Sequence, residues 1–454
     1  MKKRTKITAL LMAMVLVMGS MTACGSDDSD EKKDTNNTSN DTTKTETEAT
    51  PDASQEEAKS LTLTVWAPQE DHNDYSSVDA KYKNDHGLIG YMCDQFNEAH
   101  PNWDIKFEYK VCGEDKARDE LSKDPEAGGD VFMYAGDQAV SLVENGIMNP
   151  LVLSEDITSN NPEDAFSAVT IENDGEKGVY GVPFTPNTWF MFYDKSKFTE
   201  EDVQSLDTMM AKDTGCQYNF SVDLTNGWYN GAFFYTAGCT VYGEDGTKLD
   251  ECNFNDENGV AAAKAILDLS KDKKFICNDG NDVAISKMKE GKLAAVCSGS
   301  WNAKKVKEAL KDNYAAAPLP KVNIGGEEKQ LKSLGDYKYI GVNANTKDPE
   351  VAQKLALWLG GEECQRDRFV ARGVTPTMNS LADSDEIKND ICASALLAQS
   401  QNIAATPLNQ KFGTNYWPTM EGFGKGIING EVNEKNLQKQ LDLLSENIVT
   451  DLKK

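Results

Sequence analysis

The chain has 454 residues with 74 acidic against 47 basic side chains, a formal net charge of −27. Such an acidic surface repels phosphate backbones and anionic headgroups, which excludes nucleic acid and broad membrane-surface binding. Ten cysteines with no CxxC pair, and three histidines (His72, His86, His100) without ligand spacing, give no metal pattern and imply no cofactor.

In chain order, Lys2, Lys3, Arg4 and Lys6 precede a largely apolar run from Ile7 to Met18, followed by Gly19-Ser20-Met21-Thr22-Ala23 and then Cys24. This is the pattern of a secretory signal peptide over residues 1–23, too short to serve as a membrane span. A cysteine directly after a small residue at the cleavage point resembles a bacterial lipobox, with Met21 where that pattern prefers Leu. The resemblance implies that Cys24 is the lipidated first residue of the mature protein. Gly25 to Ser60 contains no Val, Ile, Leu, Met, Phe, Trp or Tyr and cannot offset its ordering entropy. Residues 24–60 therefore read as an acidic tether, with a reach of about 30–35 Å as a flexible coil.

The remainder is longer than one hydrophobic core organises, so two lobes are expected. Leu61, Leu63 and Val65 alternate as a strand; Leu88, Ile89, Met92, Cys93 and Phe96 recur at helical spacing before His100-Pro101. Ile105 to Val111 alternates again. A short polar helix, the apolar run Val131 to Tyr134, and a helix from Gln138 to Glu144 follow. Strand and helix in alternation predict a mostly parallel sheet with both faces covered. Between Gly178 and Tyr193 two apolar runs broken by Pro183 and Pro186 predict a crossover between lobes. Helices over 259–270 and 283–290, a strand over 293–297, a strand over 337–342 and a helix opened by Asp348-Pro349 come next. A stripe of Leu437, Leu441, Leu444, Ile448 and Leu452 predicts a final core-packed helix. Most cysteines, embedded in apolar stretches, read as buried small hydrophobes, with a Cys239–Cys252 bridge as an alternative.

Six ordered segments resemble the extracellular sugar-binding proteins of ABC importers, the maltodextrin-binding proteins in particular. They are Leu63-Thr64-Val65-Trp66; Gly129-Asp130-Val131-Phe132-Met133-Tyr134-Ala135-Gly136-Asp137-Gln138; Tyr180-Gly181-Val182-Pro183-Phe184 with Phe192-Tyr193-Asp194-Lys195; Asn226-Gly227-Trp228-Tyr229 with Thr236-Ala237-Gly238; Gly299-Ser300-Trp301; and Tyr416-Trp417-Pro418 with Ile428-Asn429-Gly430. The resemblance implies an α/β, two-lobed periplasmic-binding-protein-like fold. Residues 61–185 with 338–384 would form the N-terminal lobe and 186–337 with 385–454 the C-terminal lobe, hinge-linked around a ligand cleft. It further implies an extracellular, lipid-anchored monomer that hands an oligosaccharide, foremost an α-glucan, to permease subunits.

A sugar ring presents a C–H face and a hydroxyl edge, so its site needs aromatic plates and planar polar groups. Of seven tryptophans, the resemblance places Trp66, Trp228, Trp301 and Trp417 as cleft platforms, with Tyr229 beside them. It places Glu70, Asp137, Gln138 and Asn187 as hydroxyl-binding groups. Asp137-Gln138 also suits a helix start, since Asp is a good N-cap. Trp189 and Trp358 lie in apolar patterns and read as core; Trp103 stays unassigned. Gln138 stands where the best-known relatives carry Arg, Asn187 where they carry Glu, and Glu70-Asp71 where they carry an acid and a lysine, which leaves the preferred sugar open. The enzyme alternative is a cell-surface glycoside hydrolase, which would use two carboxylates from among groups such as Glu70, Asp137 and Asp336. Nothing in the sequence selects a pair, and there is no Gly-x-Ser-x-Gly, P-loop or His-Glu-x-x-His motif. A passive adhesin would share the lipobox but leaves the αβ pattern and the aromatics unexplained.

Overall fold

A computed structural model describes residues 57–244, 246–277 and 281–451. The signal sequence, Cys24, nearly all of the tether and Leu452 lie outside the described residues. Two sheets organise the rest. The first runs Ile403–Ala405, Ser333–Val342, Val131–Ala135, Lys59–Ala67, Trp103–Val111, with Val182–Thr188 also paired to Ser333–Val342. Lys59–Ala67 is parallel to both of its neighbours, while Ser333–Val342 runs antiparallel to Val131–Ala135.

The unbroken run Val131–Ala135 is apolar because both faces of this sheet are covered, and its side chains alternate between two cores. Val131 and Met133 pack with Leu88, Met92, Phe96, Val351 and Leu355. Phe132 and Tyr134 go to the other face with Leu142, Val143 and Tyr339. The helices behind the first core are Gly87–Ala99, ended at His100, and Pro349–Leu359, whose Asp348 side chain accepts from the Val351 N–H. Both follow the periodicity and punctuation of the sequence.

The second sheet runs Tyr314–Ala317, Phe190–Asp194, Leu293–Ser298, Tyr218–Val222, Phe275–Cys277. Again successive side chains divide: Met191 and Tyr193 join the large core with Trp189, Phe220 and Phe234, whereas Phe190 and Phe192 pack with Val296, Val306 and Leu396. The helix Leu437–Val449 covers the large core with Leu437, Leu441, Leu444 and Ile448.

Val182–Thr188 belongs to the first sheet and Phe190–Asp194 to the second, so the chain crosses between lobes at Trp189, which is fully buried. The crossing strand is held by Ser333–Val342, with Thr188 opposite Gly335 and Asn187 opposite Asp336. Buried hydroxyls reinforce it: Thr188 Oγ1 lies 2.7 Å from Ser333 Oγ and donates to the Leu334 carbonyl at 2.8 Å. A lobe boundary drawn at 337/338 falls inside Ser333–Val342, which lies wholly in the first sheet on both sides of that position, pairing with Ile403–Ala405, Val131–Ala135 and Val182–Thr188. Two hairpins, 170–173 with 176–179 and 321–324 with 327–330, add to the expected elements. Cys93, Cys112, Cys239, Cys297, Cys364 and Cys392 are buried, and Cys239 and Cys252 are not bridged.

Candidate functional site

A cleft of about 970 Å³ opens where the two sheets meet, within the size range of small-molecule sites. Glu70, Asp137, Gln138, Asn187, Trp228, Tyr229, Trp301 and Trp417 all line it. Trp66 does not. It is 3 % exposed, packed with Cys112, Leu121 and Phe132 on the covered face of the first sheet, with Lys110 Nζ 3.8 Å from its ring centroid. The platform role expected for Trp66 is therefore replaced by a core role: in register with Phe132, it faces a helix and not the cleft.

Trp417 follows a π-helical turn, Phe412–Tyr416, at the start of the helix Trp417–Ile428, and such turns interrupt regular helices most often at working sites. The turn is anchored by Tyr416, stacked on Phe412 at 4.3 Å, with its hydroxyl donating to the Gly227 carbonyl at 3.4 Å. Trp417 stands edge-on to both rings and 6.0 Å from Trp228. Trp228 is set by the helix N-cap: Asn226 Oδ1 accepts from its backbone N–H at 2.9 Å. Tyr229 is buried, its ring 4.8 Å from Trp189.

Trp301 comes from the end of Leu293–Ser298 through Gly299. A side chain at Gly299 would fall on the Trp301 ring, so the glycine leaves room for the plate. Lys338 Nζ lies 5.4 Å from the ring centroid and pairs with Glu114 at 3.2 Å.

The polar groups divide by function. Asp137 does not cap a helix: neither the 136–138 turn nor the helix 139–144 has a side-chain cap bond. Its Oδ2 instead accepts from the Trp417 indole Nε1 at 2.9 Å, across the cleft. Its backbone N–H donates to Asp336 Oδ2 at 3.1 Å, and Asn187 Nδ2 donates to Asp336 Oδ1 at 2.5 Å. Burial pushes the Asp137 carboxyl up to about 6, with the Trp417 hydrogen bond and the Arg118 charge opposing. Burial and then the neighbouring Asp137 charge hold Asp336 well above the ordinary carboxylate range. Gln138 is spent on the backbone, its Oε1 accepting from the Arg118 N–H and its Nε2 donating to the Glu114 carbonyl, each at 2.8 Å. It clamps a loop where the sequence suggested a hydroxyl-binding group.

Glu70 lines the cleft from the turn Gln69–His72, whereas Asp71 points inward and is fully buried. Arg368 Nε donates to Asp71 Oδ2 at 3.1 Å, and Arg372 Nη1 pairs with Oδ1. Burial opposes the Asp71 charge, but the guanidiniums of Arg372 and Arg368 hold its carboxyl below the ordinary value. Arg372, Arg118, Lys338 and Glu114 also line the cleft; no sequence pattern singled out any of the four, since Arg372 and Arg118 sit in helices, Glu114 in a polar stretch and Lys338 in the strand Ser333–Val342. Among the described residues no cluster of three or more His, Cys, Asp or Glu could hold a metal ion.

The chain is similar to known proteins over most of its length. The bacterial extracellular solute-binding protein family matches residues 91–394. The galactooligosaccharide-binding protein of Bacillus subtilis (strain 168) is 26 % identical over 364 residues, 77 % of this chain and 80 % of that protein. A maltooligosaccharide ABC transporter solute-binding lipoprotein of Streptococcus pneumoniae (strain ATCC BAA-255 / R6) is 26 % identical over 303 residues, 64 % of this chain and 70 % of that one. Among solved structures, one determined with acarbose is 35 % identical with a TM-score of 0.77, covering 85 % of this chain and 98 % of its own. The maltodextrin binding protein MalE1 from L. casei BL23 is 25 % identical with a TM-score of 0.70, covering 86 % and 99 %.

Proposed function

The chain belongs to the bacterial extracellular solute-binding proteins, a family of binding proteins and not of enzymes, and from that premise we propose that it captures α-glucan oligosaccharides of the maltodextrin type for an ABC importer. The observation that carries this reading is the convergence of Trp228, Trp301 and Trp417 on one cleft with Asp137, Asn187 and Glu70. Three indole plates suit successive C–H faces of a saccharide, and the carboxylates and amide suit its hydroxyl edges. Relatives named for maltooligosaccharides and maltodextrin support the glucan, as does the 35 % identical structure determined with acarbose. A galacto-oligosaccharide is the second reading, favoured by the long match to the galactooligosaccharide-binding protein. A calorimetric screen with maltotetraose, galactotetraose, xylotetraose and lactose separates them. The glucan reading requires maltotetraose to bind most tightly; preferred binding of galactotetraose replaces it with the second.

Attachment of the mature chain through a lipid on Cys24, with delivery of loaded lobes to permease subunits, completes the proposal. The cysteine after a small-residue stretch supports it, as do the relatives named lipoproteins. Cys24→Ala should release the protein into the medium, and a variant that still fractionates with membranes removes Cys24 as the anchor.

A further inference from the structure

Arg118 enters the cleft from the short helix Ala117–Leu121. Its backbone is fixed through Gln138, which also ties down the Glu114 carbonyl. Within the guanidinium, Nε and Nη2 both donate to Asp119 Oδ1, at 2.9 and 2.7 Å. That leaves Nη1, which is buried with no hydrogen-bond partner among the described residues. Nη1 lies against Gly413, in the π-helical turn of the opposite lobe. A methyl group on Gly413 would fall on Nη1, and among the described residues Arg118 is the only neighbour it would meet.

A guanidinium does not lose its proton to relieve burial, so an unmade bond at Nη1 is a standing cost that an arriving acceptor removes. In a saccharide cleft the available acceptors are hydroxyl and ring oxygens. We propose that Arg118 Nη1 is a ligand-binding donor that takes a sugar hydroxyl oxygen between the lobes, and that Gly413, which packs on Nη1, leaves the donor its position only because it carries no side chain; the inference rests on the oligosaccharide reading above. Asp119 fixes the plane of the guanidinium, so the two Nη1 N–H bonds have set directions and discriminate the orientation of a bound hydroxyl. Asp137 lines the same cleft as an acceptor. Donor and acceptor in one cleft suit a saccharide, whose hydroxyls both accept and donate. Gln138 is then a positioning residue that acts through Arg118.

The test is calorimetric titration of the full mature chain with maltotetraose and galactotetraose, for wild type, Arg118→Met, Gly413→Ala and the double variant. Loss of a hydrogen bond to a charged donor predicts a fall of about 10- to 100-fold in affinity for whichever sugar the wild type binds, in each single variant. Both act on one contact, so the double variant should be no weaker than Arg118→Met. Gly413→Ala meets only the end of a flexible side chain and should melt like the wild type, which keeps the test valid if Arg118→Met fails to fold. Folded variants that keep wild-type affinity within about twofold, or losses that add in the double variant, overturn the role of Arg118 and leave the oligosaccharide reading standing. A wild type that binds neither sugar overturns both.

Discussion

The Trp417 indole N–H reaches across the cleft to Asp137 Oδ2 at 2.9 Å, joining the second lobe to the first through two side chains that both line the proposed sugar site. Closure of the two lobes, if it follows the hinge motion of such binding proteins, would change the separation of the two ends of this bond. Trp417→Phe keeps an aromatic plate and deletes the donor. The unliganded variant should therefore show a larger radius of gyration in small-angle scattering than the unliganded wild type. Equal values would mean that this bond does not hold the lobes together.

Acid should stabilise the cleft. A carboxyl raised from its ordinary 3.8 to about 6, as Asp137 is, contributes stability that is fully present below its unfolded value and lost as pH rises through about 6. Asp336 is raised in the same sense by burial and by the Asp137 charge. Among the opposing carboxyls, Asp71 and Asp202 are lowered, Asp202 to about 2, so they keep their contribution above the ordinary 3.8 and lose it only at lower pH. Between pH 7.5 and pH 5 the melting temperature should rise, and Asp336→Asn should flatten that rise by removing one buried charge and its repulsion on Asp137. A wild-type melting temperature that falls steadily over this interval contradicts the assignment.

Asp71 is the sole carboxylate bonded to Arg368 and to Arg372 among the described residues, and all three side chains are at least nine-tenths buried. Removing one partner of a buried ion network leaves an uncompensated charge, so Asp71→Ala should cost about 3–5 kcal/mol in chemical denaturation. A loss below about 1 kcal/mol, the level of a surface pair, would show that water reaches the guanidiniums.

These cases mark where sequence reading succeeds and where it stops. The run Val131–Ala135 was legible because a sheet covered on both faces permits no polar residue in it. Trp66 was harder to place: it follows Ser60, Thr62 and Thr64 on the polar face of Lys59–Ala67, and alternation does not say what covers that face. Trp417 was legible from its setting in Tyr416-Trp417-Pro418, whereas the π-helical turn that aims it had no periodic signal. The Asp174-Gly175 turn of the hairpin 170–179, both residues with positive φ, has a sequence signature in its Asp-Gly pair, although the periodicity of the flanking strands gives none. Arg118 and Asp71 meet partners far along the chain, Gly413 in one case and Arg368 and Arg372 in the other, and no local pattern announces such a partner.

The central claim is that indole plates in the interlobe cleft bind a saccharide. Its most direct test is titration of maltotetraose into wild type, Trp301→Ala and Trp417→Ala, with unfolding followed in parallel. Both tryptophans are only partly buried, so truncation should weaken binding by about 1–3 kcal/mol, as for an aromatic anchor in a pocket, with folding retained. Trp189→Ala, at a fully buried ring, supplies the contrast, with about 3–5 kcal/mol of lost stability. If Trp301→Ala and Trp417→Ala instead lose stability on that larger scale while each folded molecule keeps wild-type affinity for the sugar, the plates are core residues and the claim is wrong.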